Sequence, residues 1–178
     1  LGQSATLTLF LTVSAASSYS YFRWCAVDSS GNKTAQRIAL VDATLFDGAG
    51  LTGNEHPAGV ATSNNSQVAG AINFVISSGY NYSSSYEPWR AFDNRFNTTA
   101  SMWWSLSVPN AASNYIQVEF TDGAKSILSG SIIVAQNFTD ATNIRLEGST
   151  TGAFAGEEQT IHTFTNTTSG SGFVTHTF

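Results

Sequence analysis

At 178 residues the chain has room for one domain with a sizeable core. Only 11% of its residues are charged while 12% are aromatic, and Ser, Thr, Asn and Gly are abundant beside one Met and three Pro; this is the composition of a β-sandwich with polar loops, not of a helical protein. Seven basic against twelve acidic residues leave a net charge of -5, which argues against a nucleic-acid surface, since that needs a basic patch.

Taken in chain order, the first predicted element is an arm, residues 1–17. Leu7, Leu9, Leu11 and Val13 alternate with Thr6, Thr8 and Thr12, a strand period broken only by Phe10. The rival reading is a signal peptide, but no Lys or Arg precedes the apolar run, which is too short to span a bilayer. A lone apolar strand is unstable in water, so the arm is expected to pair with its own sandwich or with a neighbouring subunit. Strands then follow over Tyr21 to Val27, Ile38 to Phe46, Ala71 to Ile76, Tyr115 to Phe120, Ile127 to Gln136, Asn143 to Glu147, Gln159 to Thr165 and Phe173 to Phe178. Turn chemistry separates them at Asp28 to Asn32, Asp47 to Gly50, Ser63 to Ser66, Thr121 to Gly123 and Gly148 to Gly156. Roughly eight strands at this spacing predict an all-β fold, an antiparallel jelly-roll β-sandwich over residues 18–178.

Cys25 is the single cysteine, so an internal disulfide is impossible, and its apolar neighbours predict a buried, inert thiol. Asn-x-Ser/Thr sequons at Asn32, Asn64, Asn81, Asn97, Asn137 and Asn166 carry little weight in a chain this rich in those residues. His56, His162 and His176 share no metal-ligand spacing, and neither a phosphate loop nor a nucleophile elbow occurs, so the chain reads as non-enzymatic.

The densest motif is Tyr86-Glu87-Pro88-Trp89-Arg90-Ala91-Phe92-Asp93-Asn94-Arg95-Phe96-Asn97-Thr98, followed by Trp103-Trp104-Ser105. It resembles the "Ala-Phe-Asp-Gly, then Thr, then Trp" signature of the discoidin, or F5/8 type C, galactose-binding-like domains. Ser113 to Phe120 is similar to the strand that follows the tryptophan in that family, and Asn143 to Gly152 to its Gly-Ser hairpin, with Thr151 where Asp is usual. Tyr19-Ser20-Tyr21-Phe22-Arg23-Trp24 resembles the family's closing strand, and Ile38 to Gly53 the segment after it. The closing strand therefore stands first, an order that resembles the circularly permuted forms in bacteriophage tail and virion proteins; it implies a central Tyr21 to Val27 strand with Phe22 or Trp24 buried.

The resemblance implies a structural calcium held by Asp93, Thr98, the carbonyls of Arg90 and Arg95, and the Val41–Asp42 pair, with Asp42 where the family has Glu. Carboxylate, carbonyl and hydroxyl oxygens are what a hard cation selects. Asn94 replaces the usual Gly and is expected to enter the left-handed region. The plainer reading is that Asp93 caps its own turn and Asp42 lies on a solvated face. For ligand binding, Tyr80, Tyr82 and Tyr86 stand in or beside a loop rich in Ser, Gly and Asn, with His56 in another polar loop. Of Trp89, Trp103 and Trp104, at least two are expected in the core or under the turn. The expected function is non-enzymatic binding of a glycan or host-surface component, on a virion or extracellularly, with other assembly subunits as partners. The alternatives are a purely architectural cement protein and an accessory carbohydrate-binding module of an extracellular enzyme.

Overall fold

The computed structural model describes residues 17–58, 85–95, 102–105, 114–166 and 171–178, and the backbone of 72–76. The arm at Leu7 to Val13 and the site residues Tyr80, Tyr82 and Thr98 lie outside the described residues.

The fold is all-β: two antiparallel sheets pack face to face as a sandwich. In chain order the described strands are β1 (Tyr21–Val27), β2 (Ala39–Gly48), β3 (Thr52–His56), β4 (Ile72–Ile76), β5 (Trp103–Trp104), β6 (Tyr115–Phe120), β7 (Ser129–Ala135), β8 (Asn143–Ser149), β9 (Gln159–Thr165) and β10 (Phe173–Thr177). One sheet has the order β4-β6-β1-β8-β9; the other runs β10-β7-β2-β3, with β5 also paired to β2. The first described strand is thus the middle of its sheet, hydrogen-bonded to β6 on one side and β8 on the other.

Period-2 alternation explains the core. Phe22, Trp24 and Ala26 of β1 face inward beside Ile116, Val118 and Phe120 of β6 and Ile144 and Leu146 of β8. The opposite sheet contributes Leu40, Ala43 and Leu45 of β2 and Ile132 and Val134 of β7. Phe22 meets Phe120 edge-on at 5.5 Å, and Trp24 meets Phe92 at 5.6 Å. Tyr19 enters across Gly148, where any added Cβ would lie 2.3 Å from the tyrosine ring; only glycine allows the chain to approach β8 there.

The sequence pattern did not foresee two strands. β3 reads Thr-Gly-Asn-Glu-His, polar and mostly exposed, so it lacks the alternation that marks a half-buried strand. β5 is two residues long, yet its alternation is clear: Trp103 opposes Leu40 in the inter-sheet core, while Trp104 opposes Ala39 on the outer face. Trp103 and Trp104 are both buried and Trp89 packs partly buried against the core. Cys25 is buried, and burial pushes its thiol up to about 12.

Candidate functional site

The centre of interest is the outer face of β2 and what covers it. Between Leu40 and Asp42 the register with β7 slips by one residue, so that Leu40 opposes Val134 and Asp42 opposes Ile133. This β-bulge reverses the phase of the strand. Ile38 and Leu40 face the core before it, Ala43 and Leu45 after it, and both Val41 and Asp42 consequently point to the outer side. Val41 joins an outer apolar cluster with Ala39, Met102, Trp104 and Ala135, against which Tyr86 and Phe138 pack.

β2 has different partners along one edge. Ala39 and Leu40 pair with β5, and Leu45 to Gly48 with β3, leaving Val41 to Thr44 between them with no strand partner on that edge among the described residues. The segment Pro88–Phe92, a single 3₁₀ turn, packs against both β2 and β5. Proline at its start suits the turn because the missing N–H would be unsatisfied there. Ala91 and Phe92 are buried in the core, and Asp93 follows with only 3% of its surface exposed. Asn94 has φ 54, in the left-handed region that Asn tolerates better than most residues.

Two carboxylates are thereby brought together in a buried setting. Asp42 is 4% exposed, and burial, with the neighbouring Glu55 and Asp93 carboxylates adding to it, pushes its carboxyl up to about 6. One stabilising bond opposes that shift: Thr44 Oγ1 donates to Asp42 Oδ2 at 2.9 Å. Asp93 Oδ1 accepts the Arg95 N–H at 3.1 Å, so it does cap its own turn. That bond does not explain why a second carboxylate is buried beside it. Like charges held close in a dry site are costly unless one is protonated or a cation lies between them. Among the described residues, no group of three or more His, Cys, Asp or Glu gathers with metal-binding geometry.

Of the remaining residues singled out in the sequence, Arg90 donates its N–H to the Glu87 carbonyl and lays its guanidinium over the Trp89 ring at 4.6 Å. Tyr86 leads into the 3₁₀ turn, half-buried and edge-on to Trp104 at 5.2 Å. His56 is not in a loop. It ends β3, sits 3.7 Å from Asp47 and meets the edge of Phe120. It opposes Leu45, whereas Trp104, which carries Tyr86, opposes Ala39. Six residues of β2, roughly 20 Å, separate those positions, so His56 and Tyr86 belong to different ends of the sheet.

A second polar assembly escaped the sequence reading. On the outer face of the other sheet, the Arg23 guanidinium is sandwiched between the Tyr115 and Phe154 rings, 3.7 Å from each centroid. Its Nε and Nη2 donate to Gln117 Oε1 at 3.2 and 2.8 Å. Nearby, Glu147, 1% exposed, pairs with Arg145 at 2.6 Å and Lys33 at 3.2 Å. The alternation of β1 placed Arg23 outward; that Phe154 would fold back to cover it was beyond any local pattern. Among the described residues no pocket encloses a small molecule, and no helix is long and apolar enough to cross a membrane.

The chain has no significant match among protein-family models, curated proteins or solved structures.

Proposed function

We propose that this protein is a non-enzymatic binding domain, a β-sandwich whose 3₁₀ turn is stapled to β2 by a structural calcium and whose adjoining aromatic loop meets a glycan or other surface component. The observation that carries the reading is that Asp42, turned outward by a β-bulge, and Asp93, at the end of the turn, are both buried, with the Asp93 carboxylate among the charges acting on Asp42. Such an ion would fix the 3₁₀ turn that follows Tyr86, the described member of the tyrosine group. The central place of β1 between strands that come much later fits the rearranged strand order, the resemblance from which the virion role is proposed.

The test is a glycan array run on the full chain in calcium and in chelator. Binding that needs calcium and is lost in Tyr86→Ala supports the reading; no binding to any glycan, or binding indifferent to both changes, sinks it. An architectural role has one observation in its favour. The edge strands β9 and β10 carry no Lys, Asp, Glu or Pro, the residues that usually discourage pairing with another chain. Stoichiometric presence on purified particles, without glycan binding, would select that role instead.

A further inference from the structure

A two-sheet sandwich has two open sides, where the edge strand of one sheet faces the edge strand of the other. On one side those strands are β9 and β10, each hydrogen-bonded to a single neighbour among the described residues, β8 and β7 respectively. His162 opposes Leu146 and Phe164 opposes Ile144, so both point into the space between the sheets. From the other sheet His176 opposes Ile132, with Phe178 beyond it, facing the same space. The four rings interlock. His162 stacks on Phe178 at 4.8 Å and 12°, lies edge-on to Phe164 at 4.7 Å, and Phe164 in turn meets Phe178 at 5.7 Å and His176 at 6.2 Å.

Among the described residues, nothing charged answers these imidazoles. On β8, Arg145 and Glu147 belong to the outer face, paired with each other, and Glu147 also with Lys33; Glu158, just before β9, is bonded to Lys33 as well. The histidines are the only titratable residues of β9 and β10, and β7 has none. The Phe178 backbone is tied to Gly130 through both its N–H and its carbonyl oxygen. His176 Nε2 is buried with no hydrogen-bond partner. Among the described residues, this side is thus closed by uncharged rings.

We propose that His162 and His176 make this side of the sandwich an acid-released clasp, closed while both imidazoles are neutral and opened between β9 and β10 when they take up protons. Burial lowers both histidines from their ordinary value, in keeping with an environment that resists the charge. A folded-state value below the unfolded one means that stability is intact above about pH 6.5 and is lost as pH falls below it. The inference does not depend on calcium or on a glycan.

Amide hydrogen exchange of the full chain at pH 7.5 and 5.5, corrected for the intrinsic chemical rate, tests it. In the wild type, protection in β9 and β10 should fall relative to β1 and β6 by up to about tenfold for each unit by which a histidine is lowered. His162→Phe/His176→Phe keeps four apolar rings and removes the titration, so its β9 and β10 protection should no longer respond to pH. An unresponsive wild type, an equally responsive double variant, or loosening shared equally by β1 and β6 would each overturn the clasp. Should the double variant fail to fold, NMR titration of the wild-type imidazoles decides, since values at or above that of free histidine are incompatible with it.

Discussion

Asp42 shows how one residue can carry opposite consequences for stability. Its carboxyl titrates near 3.8 in the unfolded chain and is pushed up to about 6 in the fold, so its neutral form favours the native state. That contribution is full below pH 3.8 and is lost as pH rises through about 6, leaving the cation-free protein weaker at neutral pH by about 2–3 kcal/mol. Asp42→Asn removes the penalty. In chelator at pH 7.5 the variant should melt at or above the wild type, whereas calcium should raise the wild-type midpoint by several degrees and leave the variant unmoved. Because the two inward histidines act in the opposite sense over an overlapping range, the difference between variant and wild type is the quantity to read. An equal calcium response in both proteins would show that Asp42 holds no ion.

The β8–β9 hairpin illustrates control at the level of an element. Glu157 Oε1 accepts from Ser149 Oγ at 2.5 Å, Thr151 Oγ1 at 2.7 Å and the Phe154 N–H at 3.1 Å, while Oε2 accepts the Ala155 N–H at 2.8 Å. These donors hold its carboxyl well below the usual carboxylate range, the hydroxyl of Ser149 foremost. The same loop keeps Phe154, at φ 48, over Arg23. Glu157→Gln places an amide N–H₂ among groups that all donate. The loop should then loosen and uncover Arg23, seen as faster amide exchange over residues 151–157 with β1 unchanged. Unaltered exchange in the loop would mean that Phe154 is held by its ring contacts alone.

For the molecule as a whole, the decisive fact is that the strand nearest the start of the described chain is the middle of a sheet. Deleting residues 1–17 keeps β1 and its pairing with β6 and β8, whereas deleting 1–30 removes all of β1, with Phe22 and Trp24 from the core. The longer deletion would leave two internal strand edges unpaired and a large cavity. Cooperative thermal unfolding should survive the first deletion and vanish in the second. Equal melting of the two truncated proteins would contradict the place of β1 between β6 and β8.

The limits of β1, β6 and β9 were legible in the sequence to the residue, and those of β2, β7, β8 and β10 to within a few residues. Strand position and inward face follow from local alternation, which a sequence displays directly. The left-handed Asn94 and the inert Cys25 were legible for the same reason, since each depends on its own residue type or close neighbours. What a distant partner imposes was not. β3 and β5 exist because β2 offers an edge, and Asp42 turns to the outer face because a bulge at Val41 reverses the phase of the strand. Arg23 is capped by a ring from the β8–β9 hairpin, and His162 faces Phe178 because two edge strands from different sheets converge. By itself the sequence determined an all-β chain and which side chains each strand turns inward. Only the tertiary structure decided which polar groups share a buried site, because register, bulges and sheet closure are settled by the packing of both partners at once.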